Sequence, residues 1–189
     1  MAAKSNLKNM ALCLSLVCLI CSAVLALVYA VTAEPIKAAE QKALVDSISQ
    51  VLPGGGELSD AATAEFGGQK YEYYVSTADG VPAAYAVKST TIGFGGPLTL
   101  MVGVLPDGSV YNTSVLSHTE TPGLGAKCNT DAKFMEQWKG LGADKVIKVT
   151  KDGGDIDAIT ASTITSRAYS LAVSNAVAFV KSIVKAEEE

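Results

Sequence analysis

The chain opens on an unbroken apolar stretch. From Met10 to Ala33 no residue is charged, and only Ser15, Ser22 and Thr32 interrupt the apolar run. A helix that crosses a bilayer needs roughly 20 such residues, so residues 10–33 are expected to form a single N-terminal transmembrane helix. Lys4 and Lys8 precede the run and Glu34 follows it. The excess of positive charge on the short side places residues 1–9 in the cytoplasm and everything after Glu34 outside it. Val31-Thr32-Ala33 also has the small-residue spacing of a signal-peptidase site. The apolar run, however, exceeds the roughly 7–15 residues of a signal h-region, which favours a retained anchor.

Beyond the anchor the period of the pattern changes. Pro35 suits a first helical turn, and Ile36, Ala39, Ala43, Leu44, Ile48 and Val51 make a rough apolar stripe, predicting a membrane-proximal helix over residues 34–52. Pro53-Gly54-Gly55-Gly56 ends it. Strand-like runs follow at Tyr71–Ser76 and Ala83–Thr90, separated by the turn signal Asp79-Gly80. Gly93-Phe94-Gly95-Gly96-Pro97 reads as a loop, Leu98–Leu105 as a strand, and Pro106-Asp107-Gly108 turns the chain into a strand over Ser109–Ser117. This hairpin logic favours antiparallel pairing.

A second Gly- and Pro-containing loop, His118–Lys127, leads to a short helix at Asp131–Trp138, a short strand at Lys145–Thr150 and a turn at Lys151–Gly154. The last element is a helix from about Thr165 to Lys185, with Ala168, Leu171, Ala172, Asn175, Ala176, Phe179, Val180 and Ile183 on its apolar side. The expected class is α+β: helices packed on an antiparallel sheet in an exported domain spanning residues 53–186, followed by a solvated acidic tail, Glu187–Glu189.

Composition narrows the function. The chain has 189 residues, 15 Lys and Arg against 19 Asp and Glu, and no basic stripe, which argues against nucleic-acid binding. Of its four cysteines, Cys13, Cys18 and Cys21 lie in the apolar run, where they read as small apolar residues. Only Cys128 is left for the exported part, so no disulfide framework forms within it. His118 is the only histidine, and no zinc-like cluster is present. No nucleophile elbow accompanies His118, which argues against a Ser-His-Asp hydrolase.

Two strings carry candidate chemistry. In Asp157-Ala158-Ile159-Thr160-Ala161-Ser162-Thr163-Ile164-Thr165-Ser166, hydroxyls crowd the start of a helix. Such a segment can seat a phosphate on free N–H groups, or it can be a plain N-cap. In Ser117-His118-Thr119-Glu120-Thr121-Pro122-Gly123-Leu124-Gly125, His118 and Glu120 could act as an acid and base, or the loop could simply be rigid.

Taken together, the strings resemble a known family. The first resembles the Ser-Gly-Ala-Thr-x-Thr-Ser signature of flavoproteins that carry FMN through a threonine phosphoester. The second is similar to the His-x-Glu-Thr-Pro-Gly-Leu-Gly loop of the RnfG component of the Rnf electron-transport complex and of its relative, the NqrC component of the sodium-pumping quinone reductase. Gly93-Phe94-Gly95-Gly96-Pro97-Leu98 looks like a third family string. The resemblance implies covalent FMN on Thr163, with Thr160, Ser162, Ile164, Thr165 and Ser166 around its phosphate. Glu120, Thr121, Gly123, Leu124 and Gly125 are implied to line the ring, with Phe94 as a further stacking candidate.

The resemblance also implies an electron-carrying subunit of an ion-translocating ferredoxin:NAD⁺ oxidoreductase in a bacterial inner membrane. Its partners would be the other subunits, the bilayer and a magnesium-dependent flavin transferase; no catalytic residue and no metal are implied. An NqrC-like component of a quinone reductase, a stand-alone exported flavoprotein and a non-redox membrane-anchored binding module are the alternatives. Ala161 and Ser162 stand where the signature has Gly and Ala, so a positive φ at position 161 would carry a cost that glycine avoids.

Overall fold

In a computed structural model, which describes residues 7–188, the N-terminal helix α1 runs from Leu7 to Val51. It is the one helix among the described residues that is long and apolar enough to cross a membrane. Its side chains from Met10 to Val31 are exposed, the condition of a single-pass membrane segment. The chain divides into two units at Ala43/Leu44. Lys4 and the rest of residues 1–6, and Glu189 of the acidic tail, lie outside the described residues.

The second unit is built on strands β1 (Glu57–Leu58), β2 (Ala62–Phe66), β3 (Gln69–Ala78), β4 (Val81–Ile92), β5 (Pro97–Val104) and β6 (Val110–His118). Their order is β1-β3-β4-β5-β6, with β2 also paired to β3, and every pairing is antiparallel. Asp79 and Gly80 both take positive φ between the paired residues Ala78 and Val81. Two left-handed residues in a two-residue loop match the right-handed twist of the strands they join. Gly67 and Gly68 do the same between β2 and β3. Sequence reasoning missed β1 and β2. Ala62-Thr63-Ala64-Glu65-Phe66 is alanine-rich and poor in β-formers, and the Gly67-Gly68 turn was its available signal.

Each face of the sheet is covered by one helix. The last turns of α1, with Leu52 just beyond them, lay Ile48, Val51 and Leu52 against Tyr74, Ala84, Ala86 and Met101. A Cβ at Gly103 would collide with the Val51 carbonyl, so this close approach of helix to strand depends on glycine. The other face packs Tyr85, Val87, Leu98, Leu100 and Val102 against α3 (Thr163–Glu188).

Two of the expected details are corrected. Leu171 is 54% exposed; Ala168, Ala172, Ala176, Phe179 and Val180 are buried as expected, and Tyr169 and Val173 join them on the buried face of α3. The buried stripe is rotated toward Tyr169 because its ring stacks on Trp138 at 4.9 Å and meets Phe134 edge-on at 5.1 Å. Lys145–Thr150 is not a strand. Val149 makes only an isolated parallel bridge to Ile156, and the segment is held by Asp155, whose carboxylate accepts from Val146 N at 2.8 Å. The short helix α2 covers Ala132–Glu136, with the Asp131 side chain accepting from the N–H groups of Lys133 and Phe134.

Candidate functional site

Three segments meet at one end of α3: the β4–β5 loop, the loop after β6, and the turn that feeds the helix. Ser162 N donates to Ile159 O at 3.0 Å, closing a tight turn whose third residue, Ala161, sits at φ 62°. Positive φ at that turn position is normally supplied by glycine. α3 then starts at Thr163, two residues earlier than the sequence suggested, so Thr163 belongs to its first turn.

Ser162, immediately before the helix, is 6% exposed, and its Oγ has no hydrogen-bond partner. A serine at this position ordinarily accepts from an N–H of the first turn; this one does not. The turn before the helix is braced by Ser166, which leaves the first N–H groups of α3 uncapped. The Ser166 hydroxyl accepts from Ile159 N at 2.9 Å and donates to Ser162 O at 3.0 Å. Arg167, one turn into α3, ties the helix to the segment Thr150–Asp152 with paired bonds to Asp152 at 2.6 and 2.7 Å. That pairing holds the Asp152 carboxyl below its usual range, chiefly through the hydrogen bond from Arg167.

The segments are tied together by Glu120, which is 5% exposed. Its Oε1 accepts from Phe94 N at 2.8 Å and Gly95 N at 3.4 Å, and its Oε2 accepts from Thr165 Oγ1 at 2.8 Å. The Glu120 N–H in turn donates to His118 Nδ1 at 3.3 Å. Glycines make room for this clasp: a Cβ on Gly93 or Gly125 would overlap a Glu120 oxygen, and one on Gly95 would overlap the Thr119 carbonyl.

A cavity of about 330 Å³ opens between the segments. Thr163, Ile164, Thr165, Ser162 and Ala161 form one wall, and Glu120, Thr121, Leu124, Gly125 and Phe94 the other. The structure thus gathers most of the residues singled out from the sequence. Gly123, Thr160 and Ser166 are not on the wall. Thr160 lies in a neighbouring surface cleft with Asp157, Gln137 and Lys133, and Ser166 is wholly buried in the turn it braces. Gln137, which sequence reasoning passed over, grips the Asp157 backbone through both N–H and C=O at 2.9 and 3.1 Å.

The arrangement suits an elongated ligand with an anionic end. The first N–H groups of a helix lack intrahelical partners and the macrodipole favours negative charge there. An unpartnered buried hydroxyl, Ser162 Oγ, stands beside them. Phe94, Leu124 and Ile164, all exposed, give the cavity apolar surface for a flat ring.

Residues 93–178 match the family model described as the FMN-binding domain, and residues 1–51 match the RnfG N-terminal region. The chain is 38% identical over 171 residues to the G component of the ion-translocating oxidoreductase complex of Vibrio cholerae, a match covering 82% of this chain and 81% of the relative. It is 35% identical to the G component of the proton-translocating ferredoxin:NAD(+) oxidoreductase complex of Clostridium ljungdahlii, covering 87% of this chain and 86% of that one. The crystal structure of the C component of the Na(+)-translocating NADH-quinone reductase from Parabacteroides distasonis aligns with 28% identity and a TM-score of 0.45, over 59% of this chain and 62% of that chain.

Proposed function

The chain belongs to the RnfG family of ion-translocating oxidoreductase components, and from that premise we propose that it carries electrons through FMN bound by phosphoester to Thr163. The observation that carries the reading is the uncapped start of α3. Thr163 and the unpartnered, buried Ser162 Oγ share one cavity wall there with the free end of the helix.

In this reading the N–H groups at the start of α3 bind phosphate oxygens, and Ser162 Oγ donates the hydrogen bond it otherwise lacks. FMN supplies reversible electron transfer when bound. Phe94, Leu124 and Ile164 hold the ring by apolar contact, and Glu120 keeps the two loops and the helix in register. Attachment uses a magnesium-dependent transferase with FAD as donor: Thr163 Oγ takes the FMN phosphoryl group, AMP leaves, and the hydroxyl proton passes to solvent. Covalent attachment keeps the carrier loaded outside the cytoplasm, on the far side of the bilayer from Lys8. The partners are the other membrane subunits of the complex, the bilayer and the transferase.

Mass spectrometry of the full chain, co-expressed with a flavin transferase, tests this. The wild type and Ser162→Ala are expected to carry one FMN-sized increment, and Thr163→Ala none. No increment in the wild type, or its retention in Thr163→Ala, refutes the reading. Isolation of the loaded chain from membranes free of other subunits would favour a stand-alone carrier.

A further inference from the structure

Glu120 is a buried carboxylate without a cation. Among the described residues no Lys, Arg or His forms an ion pair with it. All three of its side-chain partners are donors, Phe94 N, Gly95 N and Thr165 Oγ1, the set that suits a carboxylate. Burying a charge without a counter-ion carries a desolvation cost that hydrogen bonds offset only in part. A neutral side chain could bridge the same loops at lower cost. Glu120 also lies on the wall of the cavity rather than behind it.

From this we infer that Glu120 is a positioning residue with a second effect: its charge sets the reduction equilibrium of a flavin in the cavity, holding it toward the oxidised side. The inference rests on the FMN reading above. Reduction of FMN brings in two electrons and draws its protons from solvent. Whenever fewer protons than electrons arrive, the reduced ring gains negative charge. A fixed carboxylate that is itself buried in the cavity wall opposes that gain, because the protein packed around it screens the repulsion less than water does. The hydrogen bond from Thr165 draws charge density away from the side chain and so weakens the effect. Loss of that donor and loss of the charge are therefore expected to move the equilibrium in opposite directions.

The experiment equilibrates the loaded full-length chain with a reference redox dye under dithionite titration, above neutral pH. Flavin content is measured first by mass. An unloaded wild type overturns the FMN reading itself and is seen before any potential is recorded. With loading established, Glu120→Gln keeps an acceptor for Phe94 N and removes the charge. It is expected to shift the two-electron equilibrium toward reduced flavin by at least tenfold, about 30 mV for n = 2. Thr165→Val keeps the charge and removes one donor, and is expected to shift the equilibrium at least threefold toward oxidised flavin. A merely structural role would leave both unchanged or move both the same way, and either result overturns the inference. Should Glu120→Gln not accumulate, Thr165→Val decides alone: no shift, or a shift toward reduced flavin, overturns it.

Discussion

Ala161 is the position at which this chain strains its own backbone, and a short substitution series there measures the strain. An L-residue in the left-handed region loses roughly 1–2 kcal/mol to the contact between Cβ and the following carbonyl. Ala161 sits there at φ 62°. Glycine removes that contact but loses about 0.5–1 kcal/mol more backbone entropy on folding. The difference leaves Ala161→Gly more stable by about 0–1.5 kcal/mol, or up to about 6 °C in Tm for a domain of this size. Ala161→Val puts a β-branched side chain at the same φ, where such residues are true outliers, and is expected to lose about 1–3 kcal/mol. Urea unfolding of the full chain in detergent, followed by the emission of Trp138, the single tryptophan, reads both. Trp138 is fully buried and stacked on Tyr169 of α3, so its signal reports the helix that the turn feeds. The expected rank is Gly above Ala above Val. If Ala161→Gly is destabilised, the turn is not under the strain that its φ implies and the reasoning fails.

Other outcomes follow from single contacts. Gly95→Ala drives a Cβ into the Thr119 carbonyl, backbone against backbone. It is expected to lose about 1–3 kcal/mol in denaturant titration and to lower flavin loading by detaching the Gly95 N–H from Glu120. Tyr74 is pushed up to about 12, first by burial and then by its hydrogen bond to the Glu72 carboxylate. A folded-state value raised above the unfolded one contributes stability that is full below the unfolded pKa and lost as pH rises through the folded value. The urea midpoint is therefore expected to fall between about pH 10 and 12, and to fall less steeply in Tyr74→Phe. The Cys128 thiol, raised to about 11 by burial and then by the nearby Glu120 charge, is expected to resist iodoacetamide in the folded chain and to react once urea unfolds it, as counted by peptide mass. Rapid labelling of Cys128 without denaturant would contradict its burial.

The fold was legible wherever a local rule acts alone. Asp79-Gly80 predicts a two-residue hairpin because few other residues tolerate two consecutive positive φ values, and the chain turns there. The strand that follows, β4, buries Ala84, Tyr85, Ala86 and Val87 in succession because a helix covers each face of the sheet. Where local preference is weak, tertiary contact decided. The strand Ala62–Phe66 forms because β3 presents an open edge beside it, although the segment itself has little strand preference. Lys145–Thr150 has β-branched residues at Val146, Ile147, Val149 and Thr150 but finds no strand to pair with beyond Ile156. Leu171 fits the helical period yet faces outward, because the ring of Tyr169 fixes the rotation of α3 against Trp138.

The candidate site divides in the same way. The hydroxyls at the start of α3 could be read from sequence because N-terminal positions of a helix have a fixed chemistry: free N–H groups, a dipole, a preference for Ser and Thr. What sequence cannot show is which hydroxyl is already engaged. Ser162 and Ser166 look alike in the string, yet Ser166 is fully used by Ile159 N and Ser162 O while Ser162 Oγ has no partner. The family resemblance implies a ring contact for Glu120; the structure adds its role as a clasp joining residues 26 positions upstream and 45 downstream. Bonds at that separation leave no periodic trace. The available trace is indirect, in the glycines: Gly93, Gly95 and Gly125 are small because side chains there would occupy the space of the Glu120 carboxylate or of the loop that carries it. A glycine-rich loop facing a lone acid can therefore mark a buried carboxylate, and here it marks the residue whose charge the cavity shares.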